Sequence, residues 1–357
     1  MHEIRSLTGV RGIAAFAVVL FHFGTVLCQL LPQFSYLSPV CAKGHYGVDF
    51  FFILSGFIIS YVYSSVINWN FKSICNFILK RFARIYPVHL MAILILALLV
   101  GAASIAGKQL TGNYSLKQLT INLFMLQGFP IALPSWNYPS WSISIEFFGY
   151  LFVFPLTVFA FKHSILRSCG MAISLILVAL FAWCEHSGFP GKWGDIFRIS
   201  CEFASGAALY HGLANDSRAT GMLGRALPYC LFATLAICFI PDHLDRGGIS
   251  NMALLALCPL LIGGMYSERG VTNRILGSQP VRYIGLISYS MYMTHAIIEK
   301  IFKVFFPINE LAASNLLVRS LVFSTYLFTP ILAAACMYHV VEEPARKFIQ
   351  RFGRRFI

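Results

Sequence analysis

Charge is what this sequence has least of. Only 11% of its 357 residues are Asp, Glu, Lys or Arg, less than half the roughly 25% of an ordinary soluble domain. A free-standing soluble domain is excluded on that ground. Acids are scarcer still, 14 against 27 Lys and Arg, for a net charge of +13. The ten cysteines form no C-x-x-C pair and mostly fall inside apolar runs, where cysteine behaves as a small apolar residue, so no metal site is expected. Cys28 and Cys41 are the two that share the expected oxidising side, and their spacing fixes no distance between them. No solenoid-length repeat is present, and the one sizeable hydrophilic stretch, about 107–139, is itself rather apolar.

Apolar sequence, by contrast, is abundant: 58% of residues are hydrophobic, with 33 Phe, 16 Tyr and 5 Trp, and the mean hydropathy is +0.72. A membrane-crossing helix needs about 20 predominantly apolar residues, and such windows recur near 9–31, 47–66, 86–106, 140–161, 168–185, 197–213, 226–241, 249–266, 281–302 and 316–341. The expected fold is therefore all-α, a polytopic membrane helix bundle of about ten transmembrane helices. An even number of spans puts both termini on one side. Bases on that side, among them Arg5, Lys80, Arg84, Arg167, Arg225, Arg274, Arg346 and Arg351, outnumber by more than two to one those opposite, Lys43, Lys108, Lys117, Lys192, Arg246, Lys300 and Lys303. The positive-inside rule makes both termini cytoplasmic. The basic excess is then topological, and nucleic-acid binding is not expected. The first apolar stretch exceeds the 7–15 residues of a signal-peptide core and holds Arg11 and His22, so it is expected to be a retained span. A transmembrane domain over 1–341 and a short basic cytoplasmic tail over 342–357, suited to contact with anionic headgroups, complete the expected organisation.

Titratable groups inside spans are costly and mark sites or pathways. In RGIAAFAVVLFH, His22 lies eleven residues beyond Arg11, roughly 16 Å along a helix axis and on nearly the same face. That places it near the middle of an apolar core about 30 Å thick. Glu146 in SWSISIEFFGYLF, His295 in YIGLISYSMYMTH and Asp49 in GVDFFFILSGF reach compatible depths from other spans. Arg81 and Arg84 in KRFARIYPVHL are neighbours on one helical face at the cytoplasmic level of Arg11. Ordinary positive-inside anchoring accounts for such arginines, but three of them also suit the phosphates of an anionic donor. Histidine can take a proton from an attacking hydroxyl.

The segments RSLTGVRGIAAFAVVLFHF, GVDFFFILSGFIIS, KRFARIYPVHL, PSWSISIEFFGYLFVFP, ISYSMYMTH and VEEPARKF, in this order across nearly the whole chain, resemble the acyltransferase-3 family of integral-membrane O-acyltransferases. The resemblance implies a multi-pass protein of a bacterial inner membrane. It also implies an acyl-CoA donor, commonly acetyl-CoA, and a carbohydrate hydroxyl acceptor on a surface polysaccharide, lipopolysaccharide or lipo-oligosaccharide. Arg11 and His22 match the family's R-x10-H pair, Arg81 and Arg84 its R-x-x-R, and Glu146 its acidic position after the Ser/Trp-rich segment. The expected roles are His22 as general base, Glu146 as its partner or an acceptor contact, Arg11, Arg81 and Arg84 on the donor, and Asp49, Tyr292 and His295 on the acceptor side. Thr8 stands where many relatives carry an acid, so no carboxylate role is expected there. With no esterase-like domain following the spans, direct transfer to the acceptor or to a partner protein is expected. A secondary transporter would also place His, Glu and Arg within helices; the R-x10-H pair beside the arginine set, without repeat symmetry, favours the enzyme.

Overall fold

The computed structural model describes residues 2–64, 70–107, 114–130, 136–188, 193–245 and 248–353. Lys108, Lys192 and Arg246 of the topology argument lie outside these. Among the described residues there is no strand. The principal helices are α1 (Arg5–Leu30), α2 (Tyr46–Tyr63), α3 (Phe71–Ile105), α4 (Trp141–Phe148), α5 (Gly170–His186), α6 (Gly194–Leu213), α7 (Ser217–Cys238), α8 (Ile249–Tyr266), α9 (Gly270–Leu276), α10 (Ser288–Phe305), α11 (Leu316–Met337) and α12 (Glu343–Gly353).

Each of the ten apolar windows is met by helix. Among the described residues, seven helical stretches are long and apolar enough to cross a membrane: Arg5–Leu30, Pro32–Tyr63, Phe71–Ile105, Tyr138–Ala160, Ser217–Cys238, Ile249–Tyr266 and Leu316–Phe352. The other three windows differ for visible reasons. Helix α5 has 17 residues, α6 carries Asp195, Arg198 and Glu202, and α10 carries Glu299, Lys300 and Lys303. The window at 281–302 is interrupted at Ile287, between the helix Gln279–Leu286 and α10. The ten cysteines are free thiols, Cys28 and Cys41 included.

The chain divides into two compact units. The first comprises Met1–Phe21, Leu37–Ile67 and Phe148–Leu286. Its core is built from Phe50, Ile53, Phe57, Phe181, Leu209 and Ile262 with their neighbours. Glycine permits a close helix crossing within it. A Cβ on Gly56 would fall 1.9 Å from the Phe203 carbonyl oxygen, and one on Gly206 would fall 1.8 Å from that of Ile53. Helices α2 and α6 thus meet backbone to backbone, as small residues permit between membrane helices. Gly206→Leu is expected to push them apart and lower stability by about 1–3 kcal/mol or more, read as a lower unfolding temperature in detergent. At the start of the chain Arg282 donates from Nε and Nη2 to the two Glu3 oxygens at 2.9 and 2.6 Å, holding the Glu3 carboxyl below its ordinary value.

The second unit comprises His22–Tyr36, Asn68–Phe147 and Ile287–Ile357. Tyr326 of α11 is wedged between the rings of Phe23 and Phe302, with centroids at 5.4 and 4.6 Å. The polar stretch before α4 is tied down side chain by side chain. His89 Nε2 lies 2.8 Å from the Asn122 carbonyl oxygen, Gln127 Nε2 donates to the Ser140 carbonyl, and the Gly128 amide donates to Ser144 Oγ. These bonds fix the turn that carries Tyr138. The tail forms α12, whose Phe348 and Phe352 are exposed on a helix also bearing Arg346, Lys347 and Arg351, an amphipathic pattern suited to a membrane surface.

Candidate active site

Four rings from three segments of the second unit, those of His22, Tyr138, Tyr292 and His295, form one cluster. The imidazole of His22, half-buried on α1, lies 5.1 Å from that of His295 with the planes 30° apart. The Tyr138 ring is 4.7 Å from His22 and 5.8 Å from His295, and Tyr292 is 5.7 Å from His295. His295 is fully buried, and neither of its ring nitrogens has a hydrogen-bond partner among the described residues. A buried polar group without a partner carries a free-energy cost and calls for a functional reason.

Helix α10 supplies most of the scaffold. Tyr292, His295 and Glu299 follow one another at steps of three and four residues and so share one face. The Tyr138 hydroxyl donates to Glu299 Oε2 at 2.8 Å, and Lys303 pairs with Glu299 Oε1 at 2.7 Å. The turn bearing Tyr138 is pinned to the same helix twice more. Asn137 Nδ2 donates to the Met293 carbonyl at 3.0 Å, and the Tyr292 hydroxyl donates to the Pro139 carbonyl at 2.9 Å while lying 2.7 Å from Ser142 Oγ. Tyr292 therefore holds the turn, Tyr138 faces both imidazoles, and Glu299 fixes the Tyr138 hydroxyl.

The expected site residues divide between the units. His22, Arg81, Arg84, Glu146, Tyr292 and His295 belong to the second, Arg11 and Asp49 to the first. His22, Tyr292 and His295 come together as above, and Glu146 is half-buried on α4. Arg84 has its charge already compensated. Its Nη1 lies 2.6 Å from Glu342 Oε1, whose other oxygen accepts from Ser290 Oγ at 2.7 Å. Arg81 is half-buried one turn earlier on α3. Asp49, 1% exposed, is engaged by Arg198 at 2.6 Å, and Glu202, fully buried, lies 3.8 Å from the Arg198 Nε.

Two residues at the ring cluster escaped the sequence reading, Tyr138 and Glu299. Glu299 is signalled by its i+4 spacing from His295 in THAIIE. Tyr138 opens the single 3-10 turn Tyr138–Ser140, and only tertiary contacts reveal its partner.

A model of the acyltransferase domain matches residues 4–338. The chain belongs to the acyltransferase-3 family. An acyltransferase of Streptomyces mycarofaciens, MdmB, is 34% identical over 43% of this chain and 39% of its own length. The putative peptidoglycan O-acetyltransferase YrhL of Bacillus subtilis and the peptidoglycan O-acetyltransferase OatA of Listeria monocytogenes are each 24% identical. Those two alignments take in nearly all of this chain and 56% and 57% of the relatives, so the chain spans little more than half the length of either. No solved structure matches it.

Proposed function

We propose that the protein is an O-acyltransferase of the bacterial inner membrane, with both termini cytoplasmic, that moves an acetyl group from acetyl-CoA to a hydroxyl of a carbohydrate. The observation that carries this reading is the His22–Tyr138–His295 ring cluster, in which the histidine of the family's R-x10-H pair stands against a buried imidazole with unpartnered nitrogens. The donor supplies an activated acyl carbonyl on a good leaving group.

In this reading His22 removes the proton as the acceptor hydroxyl oxygen bonds to the acyl carbon. The carbon–sulfur bond breaks, and the proton held by His22 leaves with the thiolate. Such proton transfer is worth about 10²–10⁴ in rate. His295 is assigned a hydrogen bond to the acceptor or the acyl oxygen. Tyr138 packs on His22 and keeps its ring orientation, and Glu299 keeps that of Tyr138. Glu146 is assigned to the acceptor side, and Arg11, Arg81 and Arg84 to the donor phosphates. Arg84 serves that role while also tying α3 to the Glu342 turn.

The test is release of free CoA by the purified protein in detergent. It is run with acetyl-CoA and peptidoglycan fragments, with mass spectrometry of the glycan for the gain of one acetyl group. Acetylated glycan from wild type and none from His22→Ala is the expected outcome, and equal acetylation by both would refute the assignment. Tyr138→Phe keeps the ring and loses the bond to Glu299. It is expected to lower kcat about tenfold, the worth of a lost hydrogen bond to a charged group, with KM for acetyl-CoA unchanged. A change confined to KM would remove Tyr138 from the positioning of His22.

A further inference from the structure

Outside the ring cluster, the first unit holds an open cavity of about 750 Å³ between the opening turns of α7 and the connection from α8 into α9. Three guanidinium groups line it, those of Arg218, Arg225 and Arg269, together with the hydroxyl-bearing Ser217 and Thr272, and no carboxylate does. None of the three arginines makes an ion pair among the described residues. The nearest acids in sequence are committed elsewhere, Asp216 Oδ1 accepting from the Ala219 amide at 2.8 Å and Glu268 pairing with His2 at 3.3 Å.

The helix itself shapes this cavity. Arg218, Gly221 and Arg225 fall at i, i+3 and i+7, on one face of α7. Gly221 leaves open the ground between the two arginines, and a Cβ there would meet only Arg269 Nη1, at 3.7 Å. Three uncompensated guanidiniums around one space are matched by an acceptor of multiple negative charge, and the planar fork of arginine suits phosphate oxygens. Farther along α7, Tyr229, Phe232 and Leu235 are exposed, so the basic cavity ends an apolar face suited to acyl chains. All three arginines lie on the side the loop charges make cytoplasmic, where basic pockets between helices hold anionic headgroups.

We propose that this cavity binds a phosphate-bearing anion, presented either by the headgroup of an anionic phospholipid or by a free phosphorylated molecule. The site is independent of the acyl-transfer reading and survives if that reading fails.

Native mass spectrometry of the full-length protein, loaded with phosphatidylglycerol or phosphatidylcholine and then titrated with inorganic pyrophosphate, tests it. The expected result is preferential retention of phosphatidylglycerol, weakened about a hundredfold in the triple variant Arg218→Gln/Arg225→Gln/Arg269→Gln. Gly221→Leu keeps every charge and fills the space, and it too is expected to lose the ligand. It decides the matter if the triple variant does not fold. Retention that pyrophosphate does not disturb identifies a lipid headgroup, whereas pyrophosphate that binds directly or strips the lipid identifies a free phosphate source. The proposal is overturned if neither probe binds wild type more tightly than the triple variant, or if Gly221→Leu retains phosphatidylglycerol as wild type does.

Discussion

Substituting alanine for His22 is expected to reduce acetyl transfer by about 10²–10⁴-fold while the protein elutes and melts as wild type. His22 is half-buried, and the rings of Tyr138 and His295 pack beside it at 4.7 and 5.1 Å. Removing it takes away the proton acceptor and leaves the bonds that hold the site, from Asn137 to Met293, Tyr292 to Pro139 and Tyr138 to Glu299, in place. Turnover and thermal melts on the same preparation check this. A loss of folded protein matching the loss of activity would instead make His22 a packing residue.

Arg198→Met is expected to be the most damaging single change to the fold. Arg198 gives Asp49 two contacts, from Nε at 2.9 Å and Nη2 at 2.6 Å, and lies 3.8 Å from Glu202. Asp49 is 1% exposed and Glu202 is fully buried. Without the guanidinium two carboxylates remain inside the first unit with no cation, and breaking a buried pair in this way costs about 3–5 kcal/mol. The guanidinium also stacks near the rings of Phe52 and Phe181, at 5.9 and 5.8 Å, so its planar shape matters beyond its charge. Arg198→Lys is accordingly expected to recover only part of the stability. Replacing the whole group, Asp49→Asn/Arg198→Met/Glu202→Gln, is expected to restore folding toward wild type, because this cluster then holds no buried charge. Unfolding temperature in detergent is the readout. An unchanged value for Arg198→Met would show that the cluster is solvated or neutral.

Much of this architecture is legible from the residues, because membrane helices are long apolar runs and a bilayer leaves the backbone few alternatives. Where the reading slipped, the cause is physical. Helix α7 begins at Ser217, nine residues before the apolar window near 226. Asp216 caps its first turn by accepting from the Ala219 amide, and hydropathy registers only the part of a helix that suits lipid. The interruption at Ile287 follows Gly285 by two residues and coincides with the boundary between the two units. Arg198 stands four residues before Glu202, yet its closer attachment is to Asp49, 149 residues away, beyond any local pattern. His22 and His295 could be assigned a common depth in sequence, whereas their 5.1 Å approach and the linking role of Tyr138 come from tertiary packing alone.

The central claim is that the acyl group is transferred at the His22 ring cluster of the second unit. Photolysis of the purified protein with a CoA thioester whose acyl chain carries a photoreactive group, followed by peptide mapping, tests it most directly. The account predicts adducts on the peptides containing His22, Tyr138 and His295, suppressed by excess acetyl-CoA. Adducts confined to helices α5 to α9, with none on those three peptides, would contradict it.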